Sequence, residues 1–418
     1  MARVTRCRSC GSSELVPFLN LGRMPIINNL ITDLDADEPR YPLEVAFCRR
    51  CTLVQLTEEL PAEVIFNADY PYYSSYADAL LEHSRRHVEK LTSERNLGPA
   101  SQVVELASND GYLLQYFKAA GVPVLGVDPA PGPAKVAQER GIPTLVEFFD
   151  PRLANRLVAQ GVRADVILAN NVLAHIPDLN GFVEGIAILL KENGVATIEN
   201  PYVRDLVEQR QFDTIYHEHY CYHSVTGINN LMKRHGLTLF RVEHHPIHGG
   251  SLRYHVGKNV MVEPSVYAYL EEERRIGMDQ PEYYLEFGSR AAAVREALLA
   301  LLMELRAQGK RIAAYGAAAK GAIMLNYAGI GPELIQFVAD KNPHKQGKYL
   351  PGVHIPISPP ERILEEQPDY LLILIWNFKD EVMHQQAEFA RRGGKFIVAI
   401  PYPEILQGES TLVSGRFA

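Results

Sequence analysis

What this chain has little of narrows it first. It holds five cysteines and one tryptophan in 418 residues. It opens Met-Ala-Arg-Val-Thr-Arg-Cys, without the apolar run of a secretory signal. Few cysteines and no export cue argue against a disulfide framework and leave metal ligation as the better use. No apolar run approaches the roughly 20 residues of a membrane helix; the stretch Tyr370 to Trp376 is far too short. Basic residues number 42 against 50 acidic, and the net charge of −8 argues against general nucleic-acid affinity. The expectation is a cytoplasmic protein with neither membrane nor nucleic acid as partner. Short repeats and low-complexity tracts are also missing.

The rest is ordinary for a globular protein, with 47% hydrophobic and 22% charged residues. The length calls for two or three domains. Four of the five cysteines form two C-x-x-C pairs, Cys7 with Cys10 and Cys48 with Cys51. Two such knuckles can set four thiolates tetrahedrally around Zn²⁺, a closed sphere that makes the metal structural. Reduced core cysteines are the alternative, although Arg6, Arg8, Arg49 and Arg50 beside them suit exposed knuckles. Next comes a run dense in tyrosine and serine, from Phe66 through Tyr70 to Tyr76, either a packed linker or a lid over a polar ligand. Residues 77–95 follow with the period of an amphipathic helix.

Residues 102–107 predict a buried strand, Ser108 to Gly111 a turn, Tyr112 to Ala120 a helix, and Val124 to Asp128 a second strand ending in an acid. Strand, small-residue turn, helix, strand, acid is a nucleoside-binding unit in which the acid takes ribose hydroxyls. A dinucleotide site needs G-x-G-x-x-G, and Ala107, Asn109 and Gly111 do not supply it. Glu105 through Gly111, then Asp128, then Asn171 to Asp178 with His175, resemble class I S-adenosylmethionine (SAM) methyltransferases. That resemblance places the turn with Glu105, Asn109 and Gly111 at the methionyl part, Asp128 at the ribose and Asn171 on the same rim. A bare α/β domain without a ligand is the alternative, and His175 has a structural one.

The densest chemistry lies in Thr214 to His223, which holds three histidines, three tyrosines and a glutamate. Imidazole and carboxylate titrate near working pH and move protons, and phenols stabilise oxyanions. An extended Tyr216 to Tyr220 would put His217 and His219 on one face and Glu218 on the other. Metal binding by His217, His219 and His223, or purely structural histidines, are rival readings. Further on, His248-Gly249-Gly250-Ser251-Leu252-Arg253 is either a phosphate cradle using Ser251 and Arg253 or a hairpin turn. In the last third, a strand through Tyr315 leads to Gly316 and a small-residue helix start carrying Lys320. Later strands run from Phe337 to Asp340, from Tyr370 towards Asn377, and from Lys395 to Ile400. This is a second Rossmann-like unit with a phosphate cue.

Taken together, the two knuckles, the Asp69-Tyr70 stretch, Glu105-Leu-x-x-Asn-Asp-Gly111, Tyr216-His-Glu-His219, His248-Gly-Gly-Ser-Leu-Arg253 and Gly316-Ala-x-x-Lys320-Gly resemble the SAM-dependent C-3 methyltransferases of nucleotide-linked sugars. The resemblance implies an α/β protein of three parts. These are a zinc-binding module with its lid (1–76), a SAM-binding methyltransferase domain with the catalytic segment (77–284), and a Rossmann-like domain (285–418) helping to hold the sugar nucleotide. It implies SAM and structural Zn²⁺ as cofactors, and methylation at C-3 of an NDP-4-keto-6-deoxyhexose through an enolate, with inversion. His219 is the candidate base and Glu218 its partner. Tyr216 and His175 are candidates for the 4-oxygen, Tyr70 and Tyr76 for closing over the sugar, and Ser251, Arg253, Lys320, Tyr315 and Asn377 for the substrate. A 4-keto sugar 3-epimerase and a zinc-stabilised binding protein stay open as alternatives. The sugar, its base, its pathway and the oligomeric state are not legible.

Overall fold

The computed structural model describes residues 2–61 and 73–407. The chain divides into two compact units. The first is Met1–Asn20, Glu44–Leu206 and His217–Glu286; the second is Leu21–Leu43, Val207–Tyr216 and Phe287–Ala418.

The first strands, β1 (Leu15–Met24), β2 (Tyr41–Cys48) and β3 (Val54–Leu56), form a small sheet around the cysteine knuckles. Its fourth strand comes from far along the chain and is described with the site. Helix α1 (Asp78–Arg95) follows, its outer face laced by Glu82–Arg85, Glu82–Arg86 and Arg85–Glu89 pairs at helical spacing. Its inner face buries Leu80, Val88 and Leu91.

Beneath it lies a seven-stranded sheet built from β4 (Val103–Leu106), β5 (Val124–Val127), β6 (Thr144–Leu145), β7 (Ala164–Asn170), β8 (Leu190–Pro201), β10 (Thr238–His245) and β11 (Ser251–Gly257), with β9 (Cys221–Tyr222) the short strand in between. In sheet order these are β10-β11-β8-β7-β4-β5-β6. Only β11 is antiparallel to its neighbours, so the seven run third, second, first, fourth, fifth, seventh, sixth. This is the topology of class I SAM methyltransferases. The central parallel strands are buried along most of their length because both faces are covered. Leu114 and Phe117 of the helix Leu114–Ala119 pack with Val103, Val166 and Leu168. Each such large side chain contributes roughly 1.5–3 kcal/mol by burial.

The second unit holds a six-stranded sheet: β12 (Ile312–Tyr315), β13 (Val338–Ala339), β14 (Ile357–Ser358), β15 (Tyr370–Ile373), β16 (Lys395–Val398) and β17 (Glu404–Leu406). The order β14-β13-β12-β15-β16-β17, parallel except for β17, is the Rossmann order. Ala313, Phe337, Leu371, Phe389 and Phe396 fill its core. Among the described residues, no helix is long and apolar enough to cross a membrane.

Candidate active site

Open parallel sheets bind ligands beyond the carboxyl ends of their strands, and the expected cofactor residues lie there. After β4 the chain turns through Ala107, Asn109 and Gly111, all with positive φ (56°, 49° and 78°). A side chain on Gly111 would collide with Ile142, so only glycine lets the turn close. Asp128 ends β5, its Oδ2 accepting from the Asn109 amide (2.7 Å) and its Oδ1 from that of Ala130 (2.8 Å). Burial lifts its carboxyl to about 6, against the pull of those two amides. Glu105 is buried, and neither carboxylate oxygen has a partner among the described residues. Burial, then Asp128 and Asp110, push it well above the usual carboxylate range. An orphaned buried acid beside two others suits a ligand that brings positive charge and hydroxyls, and the sulfonium amino acid nucleoside SAM fits. Asn171 stands on the same rim at positive φ (54°), its amide donating to the Glu199 carbonyl (2.6 Å).

Asn109 also holds the tyrosine-rich stretch. Its Oδ1 accepts from the Ser74 amide (2.9 Å), Asp110 accepts from that of Ser75 (3.3 Å), and Arg140 reaches the Ser75 hydroxyl (2.8 Å). Residues 73–76 are thereby strapped onto the cofactor turn, with Tyr76 partly exposed and edge-on to Tyr73. Tyr70 lies outside the described residues.

The segment from Thr214 to His223, the candidate catalytic one, is not the extended strand that alternation predicts. Residues 217 and 218 form a turn, which buries His217 and Glu218 and leaves Tyr216 and His219 partly exposed. A turn breaks the two-residue period, so His217 and His219 do not share a face. His219 packs edge-on against His175, centroids 4.6 Å apart, and against Tyr222 at 6.3 Å. Burial lowers His175 to about 4, with a hydrogen bond to the Glu218 backbone working against it. The ring is neutral at pH 7. The tautomer that donates to that carbonyl leaves the other nitrogen as an acceptor, so His175 does not suit an oxyanion. His223 is buried and also lowered to about 4 by burial, and its Nε2 has no partner among the described residues. Accessibility thus separates His219 from its two neighbours.

Immediately after this turn, β9 (Cys221–Tyr222) joins β3 as the fourth strand of the small sheet. The helix Val225–Arg234 is then fixed by Glu273, which accepts from the Val225 amide (2.7 Å) and the Thr226 amide (2.8 Å).

Ser251 and Arg253 are not a phosphate cradle. Residues 246–250 link β10 and β11, so the hairpin reading is the one observed. Ser251 is fully buried and donates to the Ile247 carbonyl. Arg253 is buried against Glu199 (2.6 Å), with His83 2.9 Å from both. Burial alone would raise Glu199, but Arg253 and His83 hold its carboxyl well below the usual range.

Sequence reasoning missed two buried amides at the strand ends. Asn170 Oδ1 and both polar side-chain atoms of Asn200 have no partner among the described residues. Buried amides are normally satisfied, so such atoms mark places where a ligand completes the set. The available signal was their position at the last residues of two predicted strands.

In the second unit, Lys320 lies 3.1 Å from Asn377 Oδ1 and 4.7 Å above the Trp376 ring. The Trp376 indole donates to Asp213 (2.7 Å). Loss of water pulls Lys320 down to about 8, opposed by Asp213. Asp213 rises to about 6 by burial, Lys320 pulling the other way. Tyr315 is buried and donates to Gln385 (3.2 Å) rather than presenting its hydroxyl at the strand end. Tyr216 closes the segment 207–216 of this unit.

The four cysteine sulfurs lie within 4.8 Å of one another, with Cys7 to Cys51 at 3.4 Å and Cys10 to Cys48 at 3.6 Å. Four thiolates cannot gather so closely without a cation, and the set fits structural Zn²⁺.

Three family models match: "Putative zinc binding domain" over residues 7–66, "Methyltransferase domain" over 76–242, and "C-methyltransferase C-terminal domain" over 246–401. The C-methyltransferase NovU of Streptomyces niveus is 36% identical over 414 residues, 98% of each chain. A ubiquinone biosynthesis O-methyltransferase of Azorhizobium caulinodans is 27% identical over 29% of this chain and 47% of its own length. Among solved structures, magnesium protoporphyrin IX methyltransferase from Synechocystis with bound SAM overlays 43% of this chain and 79% of its own, at 17% identity and TM-score 0.34.

Proposed function

From the premise that this chain belongs to the C-methyltransferase family, which its end-to-end similarity to NovU shows, we propose that its substrate is an NDP-4-keto-6-deoxyhexose methylated at C-3. The observation that carries the reading is the partly exposed His219 packed edge-on against His175. SAM, when bound, supplies the electrophilic methyl group.

The hydrogen at C-3 is acidified by the neighbouring 4-keto group but is still too weakly acidic to leave unaided. His219 removes it, and a positioned base contributes about 10²–10⁴-fold. The phenol of Tyr216 donates to the 4-oxygen as it gains charge, an interaction of about 3–4 kcal/mol for a good donor. His175 keeps the His219 ring edge-on. Glu218 is buried within the turn, and its backbone orients the His175 ring. Tyr76 closes over the sugar from the strapped segment 73–76. Glu105 and Asp128 hold the cofactor's charged and hydroxyl groups; within the second unit, taken by itself, Lys320 with Asn377 suits a phosphate group. Base and methyl donor on opposite faces of the sugar invert C-3.

The test is mass spectrometry of the purified protein with SAM and a panel of NDP-4-keto-6-deoxy sugars in deuterated water. The reading requires one methyl group gained on one of these sugars. Omitting SAM should leave deuterium exchange at C-3, which reports the base alone. Methyl gain at an oxygen, or retention at C-3, refutes the corresponding part.

A further inference from the structure

We propose that the zinc module positions the catalytic segment, and that Gln55 is the residue through which it does so. The proposal rests on His219 as the base only for its activity readout.

The link is continuous. Gln55 sits in β3 and is fully buried. Its side chain grips the first knuckle on both sides, Oε1 accepting from the Arg8 amide (2.8 Å) and Nε2 donating to the Arg6 carbonyl (3.3 Å). Arg6 and Arg8 flank Cys7. The backbone of the same residue pairs with Cys221, and Val54 pairs with Tyr222. Just beyond, the Leu56 amide donates to the Tyr220 carbonyl (2.9 Å). His219 is the next residue towards the N-terminus. One side chain therefore joins a zinc knuckle to a strand whose backbone holds the two residues after His219.

Two further contacts repeat the connection. The buried Arg8 guanidinium lies 5.0 Å over the Tyr220 ring, and the Tyr220 hydroxyl donates to the Leu60 carbonyl (2.8 Å). Thr52, next to Cys51, lies 3.5 Å from Ser224, the residue capping the helix Val225–Arg234. Opposite, Asn180 of the helix Leu179–Leu189 donates to the Arg8 and Ser9 carbonyls, fastening the knuckle to the methyltransferase sheet. A two-residue strand has little pairing energy of its own. β9 depends on a rigid partner, and a small sheet with metal-closed knuckles is one.

The test is hydrogen exchange by mass spectrometry on the full-length zinc-loaded protein and on Gln55→Leu, with zinc content and SAM affinity measured in both. Gln55→Leu should keep its zinc and bind SAM within about twofold of the parent. Amides in 217–224 should exchange about tenfold faster, the size of one lost buried hydrogen bond, while 103–106 and 164–170 stay protected. Turnover should fall through kcat with KM held. Removing zinc with a chelator should open 217–224 in the same way. Unchanged protection of 217–224 in Gln55→Leu overturns the proposal, as does protection lost equally across the methyltransferase strands. Should Gln55→Leu lose its zinc, Arg8→Met decides: it removes the ring contact and keeps the Gln55 bonds, so 217–224 should stay as protected as in the parent, and opening there overturns Gln55 as the link.

Discussion

Replacing Arg253 by methionine separates two accounts of that residue. Its side chain and that of Glu199 are 3% and 1% exposed, at 2.6 Å. The substitution keeps most of the volume and leaves the buried Glu199 carboxylate with His83 as its one remaining named partner, so the loss of a fully broken pair is the upper bound. Breaking a buried pair from one side costs about 3–5 kcal/mol, because the remaining ion has lost its compensation. For a unit of this size each kcal/mol moves the midpoint about 2–4 °C, so a fall of up to roughly 6–20 °C is expected. Glu199 is held below the usual carboxylate range, so its contribution is complete above its unfolded value and is lost only as pH falls through the depressed one. At pH 7 the full penalty should appear. Arg253→Met with Glu199→Gln should recover much of the loss, since no charge is then stranded. Thermal unfolding by circular dichroism of the parent, the single variant and the double variant measures this. A single variant that melts with the parent but has a raised KM for the sugar nucleotide would refute the structural account and restore Arg253 as a phosphate ligand.

Other expectations concern the proposed roles. His219→Gln should lower turnover and deuterium exchange at C-3 by about 10²–10⁴-fold with SAM affinity unchanged, and calorimetry would expose any loss of binding instead. SAM affinity should decline as pH drops through about 6, where Asp128 takes up a proton and stops accepting hydroxyl hydrogens; Asp128→Asn should flatten that step. KM for the sugar nucleotide should rise as pH climbs through about 8, where Lys320 loses its charge. A flat KM up to pH 9 removes Lys320 from the phosphate.

The regular parts were legible because they follow period and punctuation. The strand ending at Asp128, the four knuckle cysteines and the parallel strand at Tyr370 all declare themselves by local pattern. The segment 214–223 did not, because its partners are distant in sequence. Nothing within Tyr216 to Tyr220 says that β9 must pair with Val54 and Gln55. Arg253 misled for the same reason. A guanidinium after Gly-Gly looks like an anion site until Glu199, 54 positions earlier, appears on the neighbouring strand. Asn200 was invisible because an unsatisfied amide is a property of its surroundings.

One comparison links the two units' chemistry. Asp128 and Asp340 each follow the second strand of a Rossmann-like unit, and each accepts from an amide of the preceding turn and from the amide two residues on. The geometry is the same, but the surrounding charge is not. Around Asp128 stand Glu105 and Asp110, both buried, and burial raises Asp128 itself. Around Asp340, Lys345 lies 3.7 Å away and donates to the Ala317 carbonyl at 2.7 Å, and Lys320 follows at the helix start. An acidic set with an orphaned carboxylate favours a cationic ligand, and a lysine-balanced set tolerates an anionic one. The same device thus favours ligands of opposite charge in the two units.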